Sequence, residues 1–236
     1  YNMGVHPLLT LPFAMILMFG FGWLIYVVII RRVIDKDMFT SLLATFGLSL
    51  LLQQVINLIF GPEVQTVDPE FKIFTAFDDF VTIPSSKIIS LLLAALLAIA
   101  VVLFMRNSRM GQSIRATAQD PRAARVMGIN TDRVYAFTFA LNASICGAAG
   151  VLVAMIWVIQ PFYGIVYSIR SFAIVTASGL GNLPVVIGAG FGLGLVEQYT
   201  GIILGAEYQI ASAVVLLLLV LMWRQLKLRQ MREVVR

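Results

Sequence analysis

LLLAALLAIAVVLFM at 91–105 runs directly into RNSRMGQSIRATAQDPRAARVMGINTDR at 106–133, and this junction decides the kind of chain to expect. The first stretch is apolar on every side. In hydrocarbon a backbone must satisfy its own polar groups, so such a segment reads as a buried helix. The second stretch changes abruptly: six arginines (106, 109, 115, 122, 125 and 133) face two acids, Asp120 and Asp132. It is also punctuated as ordered helix. Asp120 suits an N-cap, Pro121 the first helical position where its missing N–H costs nothing, and Gly128 a left-handed helix stop. A structured polar element between apolar spans reads as a docking element, which simple anchors and ion pores do not need.

Composition points the same way. Of the 236 residues 60% are hydrophobic and 12% charged, with a mean hydropathy of +0.92, whereas soluble domains run near 25% charged. An all-α polytopic transmembrane bundle follows, forming one transmembrane domain over 1–236. The net charge of +5 belongs to membrane topology and implies no nucleic-acid partner. The single cysteine, Cys146, lies in an apolar segment and allows neither an internal disulfide nor a cysteine metal site.

Apolar runs at 8–30, 39–60, 85–105, 134–158, 184–204 and 208–223 give about six spans, each near the roughly 20 residues needed to cross about 30 Å. A seventh run at 171–178 is too short to cross alone. Placing 31–37, 106–133 and the tail from Arg224 on one side gathers 14 of the 17 Lys and Arg there. By the positive-inside rule that side, including the C-terminus, is cytoplasmic. The opposite side is acidic, chiefly in the loop at 61–84, a candidate landing surface for a soluble partner. The tail reads as a lipid-headgroup anchor.

Parity then requires the chain between the fourth and last spans to enter the membrane and return. Only the run at 171–178 is available to go in, so a broken or re-entrant element is expected around Gly179, Gly181, Asn182 and Pro184. Irregular backbone at membrane depth survives where it is buried in protein or lines a wet cavity, which makes this segment a candidate substrate path. A hinge that merely lets helices pack is the other reading. Glu197, the one acid within a span, is a further candidate, either for the path or for helix packing.

Other motifs carry no chemistry. The alternating glycines at 188, 190, 192 and 194 lack the context of a nucleotide-binding loop and instead match small-residue helix contacts, as do Gly201 and Gly205. Gly47-Leu48-Ser49 has no base within reach for a serine protease, since the only histidine is His6 near the start of the chain. No catalytic residue and no metal site are expected.

The run GQSIRATAQDPRAARVMGINTDRVYAFTFALNASICGAAGVLVA and the later ASGLGNLPVVIGAGFGLGLVEQ resemble the permease subunits of bacterial ATP-driven (ABC) importers for branched-chain amino acids. The similarity is strongest to the high-affinity leucine, isoleucine and valine type and covers nearly the whole chain. The resemblance implies that the cytoplasmic loop docks on an ATPase subunit through the pattern at Arg115, Ala116, Ala118, Asp120, Ala123, Ala124, Met127, Gly128, Ile129 and Asn130, with Pro121, Arg122 and Arg125 inside it. It further implies an inner-membrane permease without enzymatic activity, with ATP and Mg on the partner ATPase and no cofactor on this chain. Its partners would be ATPase subunits, a second permease subunit, an extracytoplasmic solute-binding protein and membrane lipid. Importers of urea, short amides and other amino acids share the pattern. An N-F-A-H-G-type motif of the family's first helices has no match here, so those helices are expected to be missing. An ion-coupled secondary transporter working through Glu197 is the alternative from a different class.

Overall fold

The computed structural model describes residues 7–34, 37–63, 73–76, 81–158, 160, 162–179 and 183–234. By its contacts the chain divides into two compact units, Tyr1–Gln160 and Pro161–Arg236.

The first unit opens with α1 (Pro7–Ile25), which runs on through a π-helical turn (Tyr26–Ile30) into the short α2 (Arg31–Val33). Helix α3 (Met38–Phe60) follows, its start tied to the end of α2 where Ser41 Oγ donates to the Val33 carbonyl at 2.9 Å. A hairpin of β1 (Ile73–Ala76) and β2 (Val81–Pro84) precedes α4 (Ser85–Asn107). Then come α5 (Arg109–Gln119), α6 (Pro121–Val126) and α7 (Thr131–Ala154). The second unit consists of α8 (Tyr163–Ser178), α9 (Leu183–Ile203) and α10 (Tyr208–Val234), each packed on the other two.

Among the described residues, five helices are long and apolar enough to cross a membrane: Thr10–Val33, Phe39–Phe60, Ser85–Asn107, Thr131–Ala154 and Pro184–Ile203. They coincide with the first five runs expected from hydropathy. The sixth falls in α10, whose apolar stretch Ala211–Met222 is shorter. This is a multi-pass helical membrane protein.

The core of the first unit is the seam between α1 and α7. Helix α7 turns a row of small residues, Ala136, Ala140, Ser144 and Ala148, into it, and each is buried. That row lets the backbones approach closely. A Cβ on Gly22 would stand 2.5 Å from the Ala143 Cβ, and one on Gly147 would stand 2.7 Å from the Met18 Cγ. In hydrocarbon, helix association depends on such van der Waals fit because lipid competes equally for apolar surface. Rings flank the seam: Phe137 of α7 meets Phe19 of α1 at 5.6 Å and Phe104 of α4 at 5.9 Å between centroids. Gly147→Val should therefore lower stability by about 1–3 kcal/mol through overpacking. Thermal unfolding in detergent micelles against the parent protein measures it.

Three features differ from the sequence expectations. The loop at 61–84 holds a hairpin, with Phe74 opposite Ile83 and Thr75 opposite Thr82, because IFTA and VTIP are short runs of β-favouring residues that a hydropathy scan passes over. The short run at 171–178 is the second half of a 16-residue helix beginning at Tyr163. Polar residues such as Ser168 and Arg170 interrupt hydropathy without interrupting helix. Lastly, the glycine contacts expected at 188–194 do not form among the described residues: there a Cβ at Gly188, Gly192 or Gly194 would meet no atom within 4 Å, and one at Gly190 would only touch Ile174 at 3.7 Å. The tight glycine seam lies on α1 and α7 instead. Gly201 does pack closely, against the Gln209 side chain.

Candidate functional site

The polar stretch at 106–133 folds as two short helices bracketed by α4 and α7, and side chains in the sequence set every corner. The chain leaves α4 at Ser108, whose extended backbone starts α5 and whose Oγ accepts from the Gly111 N–H at 2.8 Å. Helix α5 then folds back hard against the end of α4. A Cβ on Gly111 would lie 2.6 Å from the Met105 carbonyl oxygen and 2.8 Å from the Met105 Cα, so only glycine fits. Arg115 donates to that same Met105 carbonyl. A guanidinium there satisfies an orphan acceptor at a helix C-terminus and opposes the negative end of its dipole. Gly111 and Thr117 are buried, whereas Arg115 is exposed and Ala116 is half-buried.

Asp120 breaks α5 from α6. It does so as the N-cap read from the sequence, its Oδ1 accepting from the N–H groups of Arg122 at 2.8 Å and Ala123 at 3.1 Å, with Pro121 in the first turn. Helix α6 ends as expected at Gly128, whose φ is +84°. The Gly128 N–H reaches the Arg125 carbonyl and the Ile129 N–H reaches the Ala124 carbonyl, both at 3.0 Å. These are the two bonds of a Schellman stop, which only a left-handed residue closes without strain. Two residues later Asn130 caps α7, its Oδ1 accepting from the Arg133 N–H at 3.1 Å.

Within this frame Ala124 is buried and Arg122 exposed. Arg125 is turned inward at its Nε, which donates to the Thr131 Oγ1 at 2.7 Å. Thr131 is itself buried, so the contact ties α6 to the start of α7. Val126 and Met127 do the opposite: they stand 87% and 81% exposed at the tip of the segment. Two large apolar side chains that far out on a polar, fully capped element suit a contact surface better than a fold. The sequence reading anticipates one capped element. The structure resolves two helices meeting at Asp120, and adds Ser108, Gly111 and Thr131 as residues that hold it. Ser108 followed three residues later by a glycine is a signal the sequence offers, whereas the Thr131 contact depends on where α6 lies.

The second group of candidates lies in α8 and α9. Gly179 closes α8 with a φ of +77°, giving the break expected there, and Pro184 lies in the first turn of α9. Gly181 and Asn182 lie outside the described residues. Glu197 is bound by a partner on the preceding helix: Arg170, midway along α8, donates from Nε to Glu197 Oε1 at 2.8 Å. The side chains keep 24% and 15% of their surface exposed. The guanidinium also lies 5.4 Å from the Tyr167 ring centroid. Arg170 was legible only as a cation near an apolar run, because the pairing needs α8 to extend upstream and α9 to fold back alongside it. Between α9 and α10 a mostly apolar groove of about 460 Å³ is lined by Val196, Thr200, Leu204, Tyr208, Ser212 and Val215 among others. The acidic outer-loop candidates Asp68, Glu70, Asp78 and Asp79 lie outside the described residues.

The family described as branched-chain amino acid transport system, permease component, matches residues 1–223. The high-affinity branched-chain amino acid transport system permease protein LivH of Salmonella typhimurium is 31% identical over 214 residues, covering 89% of this chain and 70% of that protein. The corresponding BraD of Pseudomonas aeruginosa is 29% identical over 210 residues, covering 87% of this chain and 68% of that protein. The autoinducer 2 import system permease protein LsrC of Yersinia pseudotuberculosis is 30% identical over 115 residues, covering 47% of this chain and 33% of that protein. No solved structure matches the chain.

Proposed function

The chain belongs to the family of permease components of branched-chain amino acid transport systems, and from that premise we propose that it is the membrane-embedded half of an ATP-driven importer for branched-chain amino acids. It has no catalytic role of its own. ATP and Mg are held by separate ATPase subunits, a second permease subunit completes the pathway, and a solute-binding protein delivers the cargo from outside the inner membrane. The arginine-rich segment and the C-terminus face the cytoplasm, as the distribution of cations favours.

The observation that carries this reading is the capped segment from Ser108 to Arg133 with Val126 and Met127 at its tip. Motion of an ATPase moves transmembrane helices only through a lever whose displacement is not lost in internal flexing. Here the lever is anchored to α4 at Gly111 and Arg115 and to α7 at Arg125. Val126 and Met127 enter an apolar recess on the ATPase, while Arg122 and the outer part of Arg115 meet its acidic rim. Gly179, Gly181, Asn182, Pro184 and Glu197 belong to the path of the solute. An ion-coupled carrier working through Glu197 would have to break its ion pair with Arg170 on the neighbouring helix.

Reconstitution in liposomes with the ATPase subunits, the second permease and candidate binding proteins tests the assignment. Binding protein loaded with leucine, isoleucine or valine is expected to raise ATP hydrolysis and drive uptake. If only a urea-, amide- or sugar-loaded binding protein stimulates turnover, the substrate assignment falls.

A further inference from the structure

We propose that Arg170 and Glu197 together receive the charged head group of the crossing solute, the guanidinium taking its carboxylate and the Glu197 carboxylate its ammonium. The inference rests on the importer reading above and names the chemistry of one point on its path.

Charged side chains on membrane helices face protein or a wet cavity, because acyl chains solvate neither charge. Arg170 and Glu197 lie on two packed helices of the second unit, each well inside its helix, and neither is fully enclosed. The Nε of Arg170 makes the ion pair, and a guanidinium has four more N–H donors in a planar fork. Glu197 likewise uses Oε1 and retains Oε2. The pair thus presents a surplus of donors next to a surplus of acceptors, separated by the length of one hydrogen bond. A zwitterionic amino acid carries the complementary arrangement, a carboxylate and an ammonium on adjacent carbons. It can add to both partners, or replace each with the other's counterpart, without leaving a net charge at membrane depth. The Tyr167 ring, its centroid 5.4 Å from the guanidinium, adds a cation–π contact that helps hold Arg170 in place. A purely structural brace would use the same two charges but would not require the fork.

That last difference supplies the test, made on the complete transporter in liposomes with leucine-loaded binding protein. Arg170→Lys keeps the charge and the ion pair but loses the fork, and Glu197→Gln keeps shape but loses the charge. Both are expected to assemble, to keep a thermal midpoint close to the parent's, and to reduce leucine uptake roughly tenfold to hundredfold, the range for losing a charge-assisted hydrogen bond. The exchanged pair, Arg170→Glu with Glu197→Arg, is expected to retain the parent's midpoint while uptake stays low. Uptake within about twofold of the parent in Arg170→Lys, or its recovery in the exchanged pair, would mean a brace and overturn the proposal while the importer reading stands. A parent transporter that moves no branched-chain amino acid would remove both.

Discussion

Gly111→Val should leave the protein in the membrane yet lower uptake by about tenfold or more, because it pushes α5 off the end of α4. The added side chain would start 2.6 Å from the Met105 carbonyl oxygen and 2.8 Å from both the Met105 Cα and the Phe104 carbonyl oxygen. These are backbone atoms of a transmembrane helix and cannot rotate aside. Overpacking of this kind costs about 1–3 kcal/mol, and here relief is available only by moving the segment. Its displacement also pulls the Gly111 N–H from Ser108 and the Arg115 guanidinium from the Met105 carbonyl. The transmembrane seam between α1 and α7 lies elsewhere, so insertion and bulk stability should change far less than transport. Uptake and ATP turnover measured on the same reconstituted sample, with limited proteolysis at Arg109 and Arg115 as a check on the fold of the segment, read the two effects separately. Normal uptake would show that the fit of α5 on α4 has no part in coupling.

The double substitution Val126→Ala with Met127→Ala should uncouple the transporter. Both side chains are more than four-fifths exposed, so truncating them removes almost no packing and should change stability by no more than about 0.5 kcal/mol. What they would lose is an apolar contact with the ATPase subunit. Interface anchors of this type commonly cost about 2 kcal/mol or more when truncated. Uptake and the stimulation of ATP hydrolysis by loaded binding protein are expected to fall by about tenfold or more, while unstimulated hydrolysis persists. Arg125 is a poorer probe than its position suggests. Its bond to Thr131 holds α6 against α7, so removing it would confuse loss of docking with loss of the lever's own shape. A Val126/Met127 variant that transports normally with normal stimulation would exclude the tip of α6 as the docking point.

Most of the architecture was readable from the chain itself, because the membrane leaves few solutions for a stretch with no polar face. Run length fixed the five spans, and cap chemistry fixed the corners: Asp120 before Pro121 and Gly128 before Ile129 behave as their side chains and backbone freedom require. These are local rules, acting within a few residues. The family resemblance was carried by the same capped stretch together with the later run at 177–198.

What needed the tertiary structure was every contact between residues distant in sequence. Nothing in the spacing of glycines says that Gly22 and Gly147 meet another helix while Gly188 and Gly192 meet none among the described residues, because the choice depends on which helices share a seam. Arg170 looked like a flanking cation until α8 proved to extend back to Tyr163 and α9 brought Glu197 beside it. Arg125 was read only as part of the docking pattern until α6 folded toward Thr131. Helix formation in hydrocarbon is decided by each segment's own hydrogen bonds, so a sequence determines it alone. Which faces then pair is a competition among close fits and polar contacts across helices, and only the folded arrangement settles it.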